Sequence, residues 1–160
     1  MNDNYMVYVE LSSNDVAYHQ YTQDDVDTKT IIRATTDESH WKIIAVRTNT
    51  LTGFYGVAHE NVDTQEVVVA LRGTSLTDGG DIATGLQIGI GSIVTHGTNI
   101  PNQFRDAYDF YNTVSNYATE SGLYKPIVAG HSLAGSLSQL IGAITGAEAY
   151  SINGPRSLTL

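Results

Sequence analysis

The sequence predicts one α/β domain built as three layers around a mostly parallel sheet. Three observations carry that expectation. Short apolar runs, above all Val67-Val68-Val69-Ala70-Leu71, suit strands buried on both faces. Two longer segments place apolar residues at spacings of three and four, the period of a helix with one buried face. From Trp41 onward the order is strand, strand, strand, loop, helix, strand, helix, strand. That alternation favours a layered sheet with right-handed crossovers.

Taken in order, residues 1–40 read as a polar, acidic N-terminal extension. Within it, Ser12-Ser13-Asn14-Asp15 is a candidate cap for a short helix through Tyr18 and Tyr21. Asp24-Asp25-Val26-Asp27 reads as a solvated surface or a helix start. Strands are expected at Trp41–Arg47, Gly53–Glu60 and Glu66–Leu71, with a turn at Asn61–Gln65 between the last two. Asp78–Gly91 holds five glycines in fourteen residues, the mark of a loop or a poorly formed helix. Asn102–Thr119 carries Phe104, Ala107, Tyr108, Tyr111, Val114, Ser115 and Ala118 on one helical face. Pro126–Gly130 is a short buried strand, and Ser132–Thr145, with Leu133, Leu137, Leu140, Ile141 and Ile144, is a second helix. Ala147–Asn153 is a last strand, stopped by Gly154-Pro155.

Composition narrows the function. The chain has 160 residues, enough for a real core, and its low charge fraction argues against disorder. Eight Lys and Arg against seventeen Asp and Glu give a net charge of −9. The basic residues are scattered rather than clustered, so nucleic acid is not an expected partner. There is no cysteine, which excludes disulfides, thiolate metal sites and cysteine nucleophiles. Neither a metal nor a cofactor is expected. No segment reaches the roughly 18 apolar residues of a membrane span. The first twenty residues carry acids and no Lys or Arg, unlike a signal peptide. Destination stays open, export by a leaderless route included.

The strongest chemical signal is Gly130-His131-Ser132-Leu133-Ala134-Gly135, where a buried strand meets an apolar helix. A serine at such a bend lifts its hydroxyl above the sheet edge. Residues two before and two after it approach across the turn and must be small. Gly130 meets that need; Ala134 meets it less well. The helix opening at Ser132 aims unpaired N–H groups at charge developing on an attacked carbonyl, and the Leu133 N–H is a candidate donor. Such a donor is worth roughly 3–4 kcal/mol in a transition state. Leu71-Arg72-Gly73-Thr74 ends the most hydrophobic strand, at the edge where open α/β sheets place their sites. There Thr74 can offer both a backbone N–H and a hydroxyl.

With these motifs in hand, the chain resembles the class 3 (fungal-lipase-like) lipases, a branch of the α/β-hydrolases. The likeness lies in Val67–Thr74, the His96–Tyr108 stretch, Ile127–Gly135, and Ala149–Arg156 with Asn153-Gly154-Pro155-Arg156. It covers about residues 50–157. It implies Ser132 as nucleophile, oxyanion donors from Leu133 and Thr74, and His131 as a structural neighbour rather than the base. Ala134 stands where the family prefers Gly, and the Trp-Asp that often follows Thr74 is absent. The family orders its triad Ser, acid, His, yet after Ser132 this chain has no His and no Asp, only Glu148. His19, His40, His59 and His96 read as surface or strand-edge residues, with His96 the nearest substitute for a base.

The resemblance therefore implies an α/β-hydrolase sheet that stops after the strand following the nucleophile helix, with 1–160 a single, partial domain. The implied activity is acyl-ester hydrolysis of lipase, phospholipase or esterase type, on a lipid or other ester. The triad acid and histidine are expected outside this chain, so isolated 1–160 is expected to be inactive. Asp78–Gly97 reads as a lid or as a loosely packed helix. The alternative is a non-catalytic binding or interaction module on a degenerate scaffold. In either case the open sheet edge at Ala147–Asn153 invites self-association or a partner chain.

Overall fold

The computed structural model describes residues 4–16, 19–72 and 102–152. Six strands form one sheet in chain order: β1 (Ile31–Arg33), β2 (His40–Asn49), β3 (Phe54–Asn61), β4 (Val67–Arg72), β5 (Ile127–His131) and β6 (Ala149–Ile152). β1 through β4 pair antiparallel, while β4–β5 and β5–β6 pair parallel. The α/β layering stands, but the sheet is mixed rather than mostly parallel. The reason is connection length. Residues 50–53 and 62–66 are too short to carry a crossover, so they can only close hairpins.

The period-2 alternation of β4 sorts its side chains between two cores. Val67, Val69 and Leu71 join Val128 and Phe54 beneath two helices, α3 (Asn102–Glu120) and α4 (Leu133–Thr145). Val68 and Ala70 face the other way. On the helix side, α3 buries Phe104, Ala107, Tyr111, Val114 and Ala118 as the spacing predicts, and Phe110 besides, while Tyr108 is only partly buried. It ends in a Schellman motif: Leu123 N–H bonds to Ala118 O (2.8 Å) and Gly122 N–H to Thr119 O (3.3 Å), with Gly122 at φ +70°.

The opposite layer comes from the N-terminal residues. α1 (Tyr5–Glu10) runs directly into a π-helical turn, Leu11–Asp15. Ser12–Asp15 therefore lies inside a helical segment and caps nothing; the Ser12 and Ser13 hydroxyls donate back to carbonyls of the preceding turn. Val7, Tyr8 and Leu11 pack on Trp41, Val68, Ile127 and Ala129, and Val16 sits against Ile43, Tyr55 and Ala70. Polar composition marked this region as an extension, yet its few apolar residues build the third layer. A short helix, α2 (Gln23–Asp27), follows, opened by a capping box between Thr22 and Asp25.

Candidate active site

β5 is buried through Gly130, then His131 emerges and Ser132 turns the chain into α4. Ser132 holds φ 55° and ψ −121°. A side chain disfavours that backbone conformation, at a cost on the order of 1–3 kcal/mol. The surroundings hold it there. Ser132 N–H donates to Ile152 O on β6 at 2.9 Å, and Ser132 O accepts from Gly135 N–H at 2.9 Å. Ser132 is partly exposed, and its side chain makes no capping hydrogen bond to the helix.

Close packing at the bend rests on Gly130 and Gly135. A Cβ on Gly130 would lie 2.2 Å from Ala134 O and 2.7 Å from Ser138 Oγ, so only glycine fits. The crowding is one-sided: Ala134 presents its backbone to Gly130, and its methyl is buried in the core under the helices. The departure at Ala134 is thus accommodated. Gly135 carries the other close contact, since a Cβ there would meet Ser151 Oγ at 2.4 Å. Ser138 Oγ donates to Ala134 O (2.8 Å) from beneath the bend.

Leu133 is buried and opens α4, so its N–H belongs to the first turn, where helix N–H groups lack intrahelical acceptors. The helix dipole favours negative charge beside that turn. Thr74 and His96, and the whole Asp78–Gly97 stretch, lie outside the described residues. Leu71 pairs with Gly130, so the chain leaves β4 through Arg72 on the same sheet edge as Ser132. Arg72 is steadied by its guanidinium, 4.3 Å above the Tyr55 ring.

The described histidines are not where a base for Ser132 would stand. His131 is exposed beside it. His59 corrects the surface-or-edge expectation: it is fully buried on β3, with Nε2 3.0 Å from Asp15 Oδ2 and Nδ1 without a partner among the described residues. It pairs with Val68, which pairs with Ile127, five residues before Ser132. At about 3.3 Å per residue that is roughly 16 Å along the strand, beyond contact. His40 begins β2 near Val62, at the far edge, and exposed His19 lies over Asp15. A cavity of about 430 Å³, lined by Glu66, Tyr124, Lys125, Glu148 and others, also opens at the N-terminal ends of β4 and β5, away from Ser132.

Two supports of the bend carry no sequence signal. The Ile152 carbonyl is a backbone atom, and Ser151 meets Gly135 only through the β5–β6 register. Among the described residues no helix is long and apolar enough to cross a membrane, and no cluster of acids and histidines could hold a metal.

No protein-family model and no curated protein sequence matches the chain. Solved structures do. A fungal lipase in complex with an inhibitor aligns with TM-score 0.58 at 18% identity, over 96% of this chain and 62% of the other. A Rhizomucor miehei lipase in complex with its propeptide gives 0.53 at 20%, over 88% and 45%. A lipase of Yarrowia lipolytica gives 0.50 at 20%, over 72% and 47%. The chain thus spans less than two thirds of the length of each. Identities this low carry fold rather than chemistry, and the fold is clear: this chain has the α/β-hydrolase fold seen in the fungal class 3 lipases.

Proposed function

We propose that this chain carries the nucleophile half of a serine acyl-ester hydrolase of lipase, phospholipase or esterase type. The carrying observation is Ser132, held in a strained conformation at the C-terminal end of a parallel strand with a helix N-terminus behind it. In this reading Ser132 Oγ attacks the ester carbonyl. The carbonyl's electron pair moves to oxygen, and the Leu133 and Thr74 N–H groups stabilise the resulting oxyanion. The serine proton passes to a histidine, which returns it to the departing alkoxide; a water then releases the acyl group by the same path. His59 lies too far away along the sheet, and in this reading the histidine and its acid are supplied from outside residues 1–160.

A fluorophosphonate probe tests this on the protein at its native length. Labelling of the wild type, lost in Ser132→Ala, is expected; equal labelling of the variant would sink the assignment. The isolated 160-residue chain is expected to cleave p-nitrophenyl esters little above background. Turnover abolished by His96→Ala would overturn the claim of an external base. One observation favours the non-catalytic reading: the absence of His and Asp after Ser132 within the chain. No labelling of the native-length protein would decide for it.

A further inference from the structure

The N-terminal layer is tied to the sheet in an unusual way. Its polar contacts share one feature, a carboxylate acceptor served by neutral donors or by histidine. Glu66, at the threshold of β4, accepts from Asn4 Nδ2 (3.1 Å to each oxygen) and Tyr8 OH (3.0 Å). Glu10 accepts four hydrogen bonds: from the N–H groups of Thr35 (2.7 Å) and Thr36 (2.9 Å) and from both their hydroxyls. Asp15 accepts from Tyr21 OH (2.6 Å) and contacts buried His59 (3.0 Å).

We propose that residues 4–16 form an acid-released strap: protonation of Glu10, Asp15 and Glu66 detaches this layer and uncovers the apolar sheet face around Trp41, while the β4–β5–α4 half stays folded. A protonated carboxyl gives up acceptor capacity, leaving the Thr35 and Thr36 N–H groups poorly served. The apolar grip is modest. The strap buries Val7, Tyr8, Leu11 and Val16, whereas α3 alone buries six side chains in the other core. The π-helical turn weakens it further, because such turns are short and less favourable than α-helix.

The groups facing each carboxylate fix the direction. Around Glu10 they are Thr35 and Thr36, whose hydrogen bonds outweigh the upward push of partial burial and hold its carboxyl below the ordinary range. Around Glu66 they are Asn4, Thr64 and Tyr8, with Tyr150 against the Tyr8 ring; Lys125 and Glu148 line one cavity beside Glu66, and Asp37, Glu38 and Asp63 line another. Burial and the neighbouring carboxylates push the Tyr8 and Tyr21 hydroxyls far up, so both remain donors. Around Asp15 they are Tyr21, His59 and His19, with Tyr55 and Asp25 further off.

The chain supplies its own reporter. Trp41 is its single tryptophan, 1% exposed, and Val7, Tyr8 and Leu11 belong to the cluster that covers it. Acrylamide quenching of Trp41 in the 160-residue chain is followed from pH 7 to 3, with far-UV circular dichroism in parallel. Quenching is expected to rise severalfold while the dichroism is still native. Glu10→Gln moves the rise to higher pH. Asp106→Asn, which alters the carboxylate joining α3 to the β2–β3 turn through Asn49 and Thr52, leaves it in place. Thr36→Val, which removes one donor and keeps the acid, shifts it in the same direction as Glu10→Gln and serves if that variant does not fold. Coincident quenching and dichroism transitions, a protected Trp41 at pH 3, or an Asp106→Asn shift as large as that of Glu10→Gln would each overturn the proposal.

Discussion

Replacing Gly130 with alanine adds one methyl at the most crowded of the described glycines. The added Cβ would sit 2.2 Å from Ala134 O, 2.4 Å from Ala134 C and 2.7 Å from Ser138 Oγ. Two of these three contacts are backbone atoms of the first turn of α4, so no rotamer change relieves them. Either α4 lifts off β5 or the Ser132 bend opens. Overpacking a well-filled interior costs about 1–3 kcal/mol and occasionally more; a clash with backbone belongs at the upper end, about 3 kcal/mol. For a chain of this length that lowers Tm by about 6–12 °C, a large part of a total stability of roughly 5–15 kcal/mol. Gly122→Ala is the matched control. It has nothing within 4 Å but holds φ +70°, so it pays only backbone strain of about 1–2 kcal/mol. Urea titrations followed by far-UV dichroism give both values. Gly130→Ala within about 0.5 kcal/mol of wild type, or less damaging than Gly122→Ala, would refute the close approach of helix and strand.

Ser132→Gly should separate strain from chemistry: with no Cβ at φ 55°, the variant gains about 1 kcal/mol in urea unfolding while losing fluorophosphonate labelling. No gain in stability would mean that the bend is unstrained. Glu10 has a lowered folded-state pKa, so its stabilising effect is present above the unfolded carboxylate value and fades as pH falls through the folded one. Glu10→Gln is therefore less stable than wild type at pH 7, and the gap narrows below about pH 4; a gap constant from pH 7 to 3 would show that the carboxylate's charge is irrelevant. β6 pairs with β5 on one side, and no strand covers its other side among the described residues. Sedimentation velocity of the isolated chain should show concentration-dependent self-association, and a monomer at every concentration would count against it.

What the sequence revealed follows from how local each signal is. α3 and α4 were legible because their buried faces repeat within eighteen residues, and the bend at Ser132 because a small-residue string joins a buried strand to an apolar helix. The antiparallel half of the sheet was legible too, in connections of four and five residues that no crossover can use; alternation of strand and helix further along outweighed it. The strap was hidden by geometry. Val7 and Leu11 are four apart, but Leu11 and Val16 are five apart. That step breaks an α-helical stripe and is bridged by the π turn, whose Val16 N–H bonds to Leu11 O. His59 was hidden by distance, because its carboxylate partner stands 44 residues away.

The bend itself shows where such reading stops and why. Gly130, Ser132 and Gly135 announce a tight turn by residue type alone. What keeps Ser132 in a costly conformation is a set of backbone contacts: Ile152 O on its N–H, Ala134 O against Gly130, and Gly135 N–H on its own carbonyl. Any residue at 152 would supply the same carbonyl, so side-chain identity carries no trace of it. The consequence is physical. Because β6 holds the serine by its amide, whatever pairs with the outer edge of β6 also steadies the hydroxyl proposed to do the chemistry. Placement of that hydroxyl and pairing at the outer edge of β6 are then one structural problem.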